Sequence, residues 1–217
     1  MTRVPTLLRL DSSYDDDATS VSRLLTDAFT RAWLAGGPDR AVVEHDLRTD
    51  PVPPPGHGAL HWAPALRGPA VVVPGGAIAA QARVLDELLT ADALVIGAPL
   101  YNYGLPATLK AWLDQVHVPG TTAPFGDGGA QPLRGRPAVV VATRGTAHYG
   151  DSEAEGRDHA LPVLRLILGE ALGMAVRVVT VDRTLSVTTP AFAGERERFE
   201  RRFTAATTEL EELAATL

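Results

Sequence analysis

The sequence has no cysteine, a single lysine (Lys110) and few aromatic residues, which occupy 6% of its 217 positions. Without cysteine, disulfides, thiolate catalysis and cysteine-bound metals are excluded. The sequence also lacks an excess of positive charge, since its net charge is -6. In the densest group of arginines, "ERERFERRF" (195–203), they alternate with acidic residues as on a solvated helix face. We therefore expect no binding to nucleic acid or to an anionic membrane surface.

Long apolar runs are also absent. No segment approaches the ~20 apolar residues that a membrane-spanning helix needs, and the apolar stretch in "MTRVPTLLRLDSS" is too short for a signal peptide. We therefore expect a cytoplasmic location. With 45% hydrophobic and 21% charged residues the composition is that of an ordinary globular protein, and we expect residues 1–217 to form one domain.

Short apolar runs alternate along the chain with segments of helical periodicity. The predicted strands are 4–10, 41–47, 91–99, 137–143 and 175–182, and the predicted helices are 20–36, 79–91, 105–117, 159–172 and 192–213. Strands that alternate with helices predict an α/β fold with a parallel sheet between two layers of helices. The Pro- and Gly-rich stretch 48–76 is too long for an ordinary connection, and the sequence leaves open whether "PAVVV" (69–73) within it is a strand.

The first strand-to-helix loop, "DSSYDDDATSVS" (11–22), has the features of an anion site. Serines precede a helix, whose first N–H groups lack intrahelical acceptors and whose dipole favours negative charge. The loop contains neither GxGxxG nor GxxxxGK[S/T], so no dinucleotide or P-loop site is indicated, and a single terminal phosphate fits better. Alternatively, Ser20 only caps the helix. Asp15, Asp16 and Asp17 would repel a phosphate and are expected to face water.

Two further loops are expected at the same edge of the sheet, where ligands of open α/β sheets bind. "APLYNYGLP" (98–106) and "TRGTAHYG" (143–150) combine apolar side chains, an amide and exposed backbone N–H groups. A flat heteroaromatic ligand requires such a mixture, although Tyr101 and Tyr103 are also readily explained as packing residues. We expect no metal, because the histidines show helical ligand spacing only at His57 and His61, within a Pro-rich loop.

The motifs resemble those of the FMN-dependent NADH azoreductases and NAD(P)H:quinone oxidoreductases of the flavodoxin-like fold. "APLYNYGLPATLKAWLDQV" (98–116) is similar to the family segment APxYNFxxPxxLKxxxD, "TRGTAHYGD" to S/T-R-G-G-x-H, and "SVSRLLTDAF" to the S-x-S start of the first helix. The departures are Tyr103 for Phe, Thr146 for the second Gly, and Val21 at a position that is often polar. The resemblance implies a three-layer α/β/α sandwich with five parallel strands in the order 2-1-3-4-5.

The resemblance also implies site residues. Ser13, Ser20 and Ser22 would hold the FMN phosphate. The residues that would contact the isoalloxazine are Pro99, Leu100, Tyr101, Asn102 and Tyr103 on one side and edge, and Thr143, Arg144, Gly145 and Thr146 at the pyrimidine edge. No catalytic side chain is obligatory, since the flavin carries the reaction; Asn102 and His148 are the candidates for a supporting role, and His148 is equally well explained as a capping or surface residue.

The implied activity is ping-pong transfer of electrons from NADH or NADPH to a quinone or azo compound, in a homodimer with shared active sites. The stretch 48–76 and the Gly-rich segment 124–135 would then cover the partner's flavin. Two alternatives remain open: a flavodoxin-like electron carrier that does not oxidise NADH, and a flavin-free relative with a regulatory role.

Overall fold

A computed structural model describes residues 4–148 and 156–217. Five parallel strands form one sheet: β1 (Thr6–Asp11), β2 (Ala41–Asp46), β3 (Ala93–Pro99), β4 (Pro137–Thr143) and β5 (Ala175–Val181). Their order is β2-β1-β3-β4-β5, which confirms the predicted flavodoxin-like sheet. All five strands therefore end at the same edge, and the loops that follow β1, β3 and β4 are neighbours there.

The sheet is buried on both faces, as its continuous apolar runs require. In β3 all seven residues are buried. One face packs Leu94 and Ile96 into a core that includes Trp112, and the other packs Val95 against a second core that includes Phe29. These two apolar layers make the three-layer sandwich that the alternating pattern predicted.

The helices lie close to their predicted ranges. The long ones are α1 (Val21–Ala35), α2 (Gly75–Thr90), α3 (Ala107–Val116), α4 (Leu161–Leu164, continued by π-helical turns over Arg165–Ala171) and α6 (Arg196–Thr216), with the short α5 (Leu185–Thr188) between β5 and α6.

The corrections to these ranges have local causes. Helix α4 begins two residues later than predicted, because the Asp158 carboxylate accepts the N–H groups of Ala160 (2.8 Å) and Leu161 (2.9 Å) and so caps the helix there. Its last part is π-helical rather than regular, with the Leu172 N–H donating to the Ile167 carbonyl at 2.9 Å. Helix α5 was not predicted, since four residues are too few to show periodicity.

The stretch 48–76 contains two 3₁₀ turns, Gly58–His61 and Pro64–Leu66. Residues 69–73 are not a strand, which settles the question that the sequence left open. Val72 is 84% exposed there, so this apolar run is not part of the core.

Candidate functional site

A cleft of about 270 Å³ lies at the carboxyl edge of the sheet, between the loops that follow β1, β3 and β4. Of the residues predicted from the sequence, those that line it are Ser13, Ser20, Ser22, Pro99, Leu100, Tyr101, Thr143 and Gly145. Among the described residues, the others that line it are Asp15, Thr19, Val21, Thr184, Leu185 and Thr188. The cleft therefore combines hydroxyl groups with apolar side chains.

The start of α1 supplies the hydroxyl-rich end. Ser20 caps the helix, because its Oγ accepts the N–H of Arg23 at 3.4 Å. This is the capping role that the sequence offered as the alternative to ligand binding. The same Oγ lies 3.2 Å from the Oγ of Ser22, and both side chains line the cleft. Capping and ligand binding are therefore compatible, because a hydroxyl can accept one hydrogen bond and donate another.

Gly97 allows α1 to approach the sheet closely enough to place Ser22 there. A Cβ at Gly97 would lie 2.9 Å from Asp11 Oδ1, 3.4 Å from Ser22 Cβ and 3.4 Å from Thr26 Cγ2. The carboxylate of Asp11 accepts the Thr26 hydroxyl at 2.7 Å, and burial raises the pKa of Asp11 although Arg9 and Thr26 partly offset this. Any side chain at position 97 would disturb this buried contact.

After β3 the chain makes a tight turn over Tyr101–Gly104. The N–H of Gly104 donates to the Tyr101 carbonyl at 3.0 Å, and the N–H of Tyr101 donates to the Gly104 carbonyl at 3.1 Å. Asn102 and Tyr103 both have positive φ, 48° and 68°, which is typical of a type I′ turn. Asn adopts this conformation readily, whereas an aromatic residue is strained in it. Both side chains are exposed beside the cleft and do not line it.

Tyr14 connects the first two loops, a contact that the sequence analysis missed. Its ring stacks on that of Tyr101, with centroids 4.7 Å apart and planes 8° from parallel. The Tyr14 N–H donates to the Tyr101 hydroxyl at 3.2 Å, and that hydroxyl lies 3.3 Å from Ser13 Oγ. The Tyr14 hydroxyl in turn accepts the N–H of Ala107, the first residue of α3, at 3.1 Å. Neither tyrosine follows a periodic pattern, so the pairing left no signal in the sequence.

In the described part of the third loop, residues 143–148, the cleft is lined by Thr143 and Gly145. The side chain of Arg144 turns into the protein, where it is 2% exposed, donates to Asp158 from Nε at 3.0 Å and to the Ala98 carbonyl at 3.3 Å. Burial opposes the ionisation of Asp158, but the N–H of Leu161 and the Arg144 guanidinium outweigh it and hold the pKa of Asp158 below its ordinary value. Thr146 is exposed outside the cleft.

His148 also lies outside the cleft. Its N–H donates to Asp182 Oδ2 at 2.9 Å, its ring is buried, and Nε2 is 4.0 Å from Asp158 Oδ2. The expectation of a surface residue is therefore wrong, because His148 is 6% exposed, and its capping role stays a prediction. The last two residues of the segment 143–150 lie outside the described residues.

A fourth loop, after β5, completes the cleft and was not predicted. The N–H of Thr184 donates to the Arg144 carbonyl at 3.0 Å and that of Leu185 to the Gly145 carbonyl at 2.9 Å. Thr184, Leu185 and Thr188 line the cleft as a result. The signal was present in the sequence, since "RTLSVTT" (183–189) is hydroxyl-rich and follows a strand of the same sheet.

A larger cavity of about 390 Å³ lies beside the cleft, between α1 and the β2 edge of the sheet. It is lined mainly by charged groups, among them Arg9, Asp11, Arg23, Glu44 and Asp46. The smaller cleft is the better candidate for a flat ligand, because it alone of the two combines apolar surface with hydroxyl and backbone donors.

The described residues contain no group of three His, Asp or Glu side chains placed to hold a metal ion. Within the same residues, no helix has the length and the apolar character needed to cross a bilayer.

A family model described as flavodoxin-like fold matches residues 5–203, most of the chain. The chain belongs to the flavodoxin-like fold family. An FMN-dependent NADH:quinone oxidoreductase of Kineococcus radiotolerans is 47% identical to this flavodoxin-like chain over 214 residues, 99% of this chain and 100% of the relative. A protein of the same name from Parafrankia sp. is 39% identical over 209 residues, 94% of this chain and 95% of the relative. These relatives confirm the family resemblance inferred from the sequence motifs.

Solved structures confirm the fold independently. An azoreductase from Bacillus anthracis superposes with a TM-score of 0.79 at 22% identity, covering 98% of this chain and 100% of that one. An FMN-dependent NADH-azoreductase from the same species, solved in complex with FMN, gives 0.78 at 20% identity and covers 98% of each chain.

Proposed function

We propose that this flavodoxin-like chain is an FMN-dependent oxidoreductase that transfers electrons from NADH to quinones or azo compounds by a ping-pong scheme. The observation that carries the proposal is the cleft, which joins serine hydroxyls at a helix N-terminus to an apolar wall at the carboxyl edge of the sheet. Its support is the 47% identity, over the whole length, to a relative named FMN-dependent NADH:quinone oxidoreductase.

The lining of the cleft fits FMN. Ser13, Ser20 and Ser22 would donate hydrogen bonds to the phosphate, and the N-terminus of α1 would add its favourable dipole. Pro99, Leu100 and Tyr101 form the apolar wall for the ring system. At the far end, Thr143 and Gly145 offer polar backbone groups to the pyrimidine edge, with the Arg144 and Thr146 backbones beside them.

When bound, FMN would supply the redox chemistry for electron transfer from NADH to the quinone or azo acceptor. In this scheme the chain positions the reactants, and no side chain is required as an acid or a base. We propose that the exposed amide of Asn102, held over the edge of the cleft by the type I′ turn, hydrogen-bonds to the ring system or to the nicotinamide. NADH is the expected electron donor, since the relatives are named for it. NADPH is the alternative donor, to be tested beside it.

We further propose a homodimer with shared active sites. Apolar side chains are exposed together on the stretch 48–76 and the Gly-rich segment: Trp62 is 39% and Phe125 is 54% exposed, and their rings meet edge to face at 5.8 Å. Such a pair is typical of an interface core. Sedimentation of wild type and of Phe125→Asp tests this: we expect a dimer that the charge weakens. A wild-type monomer at micromolar concentration would contradict it.

We also propose that residues 1–217 form one domain and that the protein is cytoplasmic. One cooperative unfolding transition followed by two optical probes tests the first, and fractionation of the source cells tests the second. Two separate transitions, or recovery outside the cytoplasm, would contradict them.

The decisive experiment is anaerobic addition of NADH to the protein reconstituted with FMN, followed by the visible absorption of bound flavin. Rapid bleaching, and its return when a quinone is added, is the expected result. Bound flavin that neither NADH nor NADPH reduces would favour an electron carrier, and failure to bind FMN would favour a flavin-free relative.

Ser22→Ala is the matched site variant, because Ser22 lines the cleft but Ser20, not Ser22, caps α1. Loss of a charge-assisted hydrogen bond should weaken FMN binding by roughly 1.5–3 kcal/mol. Thr208→Ala, which removes an exposed hydroxyl on α6, is the control and should bind FMN as wild type does. Equal affinities for all three proteins would remove Ser22 from the site.

A further inference from the structure

Arg23 is a buried cation directly beneath the loop that carries the serines. It follows Ser22 in the first turn of α1, and only 2% of the residue is exposed. Burying a guanidinium costs several kcal/mol unless its charge and its N–H groups are matched. The contacts that offset this cost therefore indicate what the side chain does.

The guanidinium connects the first loop to the end of β2. From Nη2 it donates to the Ser13 carbonyl at 3.0 Å and to Asp46 Oδ1, at the end of β2, at 2.5 Å. From Nη1 it donates to Asp17 Oδ1 at 3.3 Å. Burial opposes the charged form, yet the Asp46 hydrogen bond and the nearby carboxylates outweigh it and raise the pKa of Arg23 above its ordinary value. Asp46 is held in its ionised form in return: burial raises its pKa, but Arg23 and Arg48 together lower it by more.

These contacts reach the proposed phosphate site through Ser13. Arg23 fixes the carbonyl of Ser13, while the Oγ of the same residue lines the cleft and accepts the N–H of Asp15 at 3.2 Å. The cation also stands under a loop that carries Asp15, Asp16 and Asp17, all exposed. It therefore offsets negative charge where a phosphate has to approach.

We propose that Arg23 is a positioning residue that holds the Ser13–Ser20 loop in its phosphate-binding conformation, and that Asp46 orients the guanidinium. This inference rests on the proposed function, since it takes FMN as the ligand. It differs from a purely stabilising ion pair in one respect: the effect of Arg23 is directed at the phosphate and not at the ring system.

The test compares the affinities for FMN and for riboflavin, which lacks the phosphate, in wild type, Arg23→Gln and Arg23→Lys. Both dissociation constants are measured by flavin fluorescence, together with the ³¹P chemical shift of bound FMN. We expect Arg23→Gln to weaken FMN binding by roughly tenfold to hundredfold, to change riboflavin binding by less than threefold, and to move the ³¹P signal. Arg23→Lys keeps the charge without the fork geometry and should be intermediate.

Arg136→Gln is the matched control. Arg136 is a partly buried arginine that also donates to backbone carbonyls, those of Leu89 (2.6 Å) and Ala91 (2.7 Å), but at the opposite edge of the sheet. It should lower stability without changing the ratio of FMN to riboflavin affinity. Asp46→Asn tests the orienting role in a protein that retains Arg23 and should shift the ratio in the same direction by a smaller factor.

These measurements distinguish failure of the positioning role from failure of the proposed function. If wild type binds FMN and NADH reduces it, but both Arg23 variants lose FMN and riboflavin affinity equally or lose neither, the positioning role is wrong and the proposed function stands. If Arg23→Gln does not fold, the same comparison is decided by Arg23→Lys and Asp46→Asn. If wild type binds no FMN, both proposals fail together.

Discussion

Replacement of Gly97 by alanine tests whether the close approach of α1 to β3 places the phosphate-binding serines. The added Cβ would meet Asp11 Oδ1 at 2.9 Å, a distance at which one of the two groups has to move, and would press on Ser22 and Thr26 at 3.4 Å. Overpacking of this kind costs about 1–3 kcal/mol. Removing a glycine from a strand returns about 0.5–1 kcal/mol. With central values for both, the expected net loss in the free energy of unfolding is about 1 kcal/mol.

The assay is urea unfolding with linear extrapolation, combined with FMN titration of the folded variant. Because the pressure falls on Ser22 and on the Asp11–Thr26 hydrogen bond, FMN affinity should fall along with stability. Gly76→Ala is the control: a Cβ there meets nothing within 4 Å, and alanine in the first turn of α2 should leave stability unchanged or slightly raised. A Gly97→Ala protein with wild-type stability and FMN affinity would refute the reasoning.

Two further predictions concern the loops. Tyr103→Asn should raise the free energy of unfolding by about 1 kcal/mol, because Asn tolerates the positive φ that strains an aromatic residue. Little packing is lost, since Tyr103 is 59% exposed. A lower midpoint of urea unfolding would mean that the contacts of the ring stabilise the protein by more than the strain costs. Asp158→Asn should cost about 3 kcal/mol at neutral pH, since it removes a carboxylate that is paired with the buried Arg144 guanidinium. The folded-state pKa of Asp158 is lowered, so its contribution is present above the ordinary value of 3.8 and lost as pH falls through the folded-state value. The stability gap between wild type and Asp158→Asn, measured by unfolding at several pH values, should therefore narrow below that point, and a gap that widens on acidification would contradict the assignment.

The α/β class was predictable from local signals, and the strand order from the family resemblance. A run such as Leu94-Val95-Ile96 is as expected of a strand buried on both faces, and the alternation with helices leaves few topologies. The cleft could be predicted as far as its residues lie in the loops that follow strands, which is why Ser20, Tyr101 and Gly145 were found.

What escaped prediction depends on contacts between distant parts of the chain. Arg23 occupies a helix position where an arginine is normally expected to face solvent. Its burial depends on pairing with Asp46, which lies 23 positions later in the sequence. Tyr14 stands alone among polar residues, so no periodicity marks its stacking on Tyr101. The side-chain direction of Arg144 depends on Asp158, fourteen positions later, and no spacing rule connects the two.

The Tyr14 hydroxyl has a consequence for the order in which the chain folds. Helix α3 follows Pro106, which supplies no capping side chain, and the hydrogen bond at its first residue comes from Tyr14, 93 positions earlier. A contact that closes so long a loop generally forms late, after the entropy of bringing the two segments together has been lost. Tyr14→Phe should consequently speed unfolding while leaving the refolding rate unchanged, as stopped-flow measurements on both limbs would show. The start of α3 would then be among the last parts of the molecule to form and among the first to open.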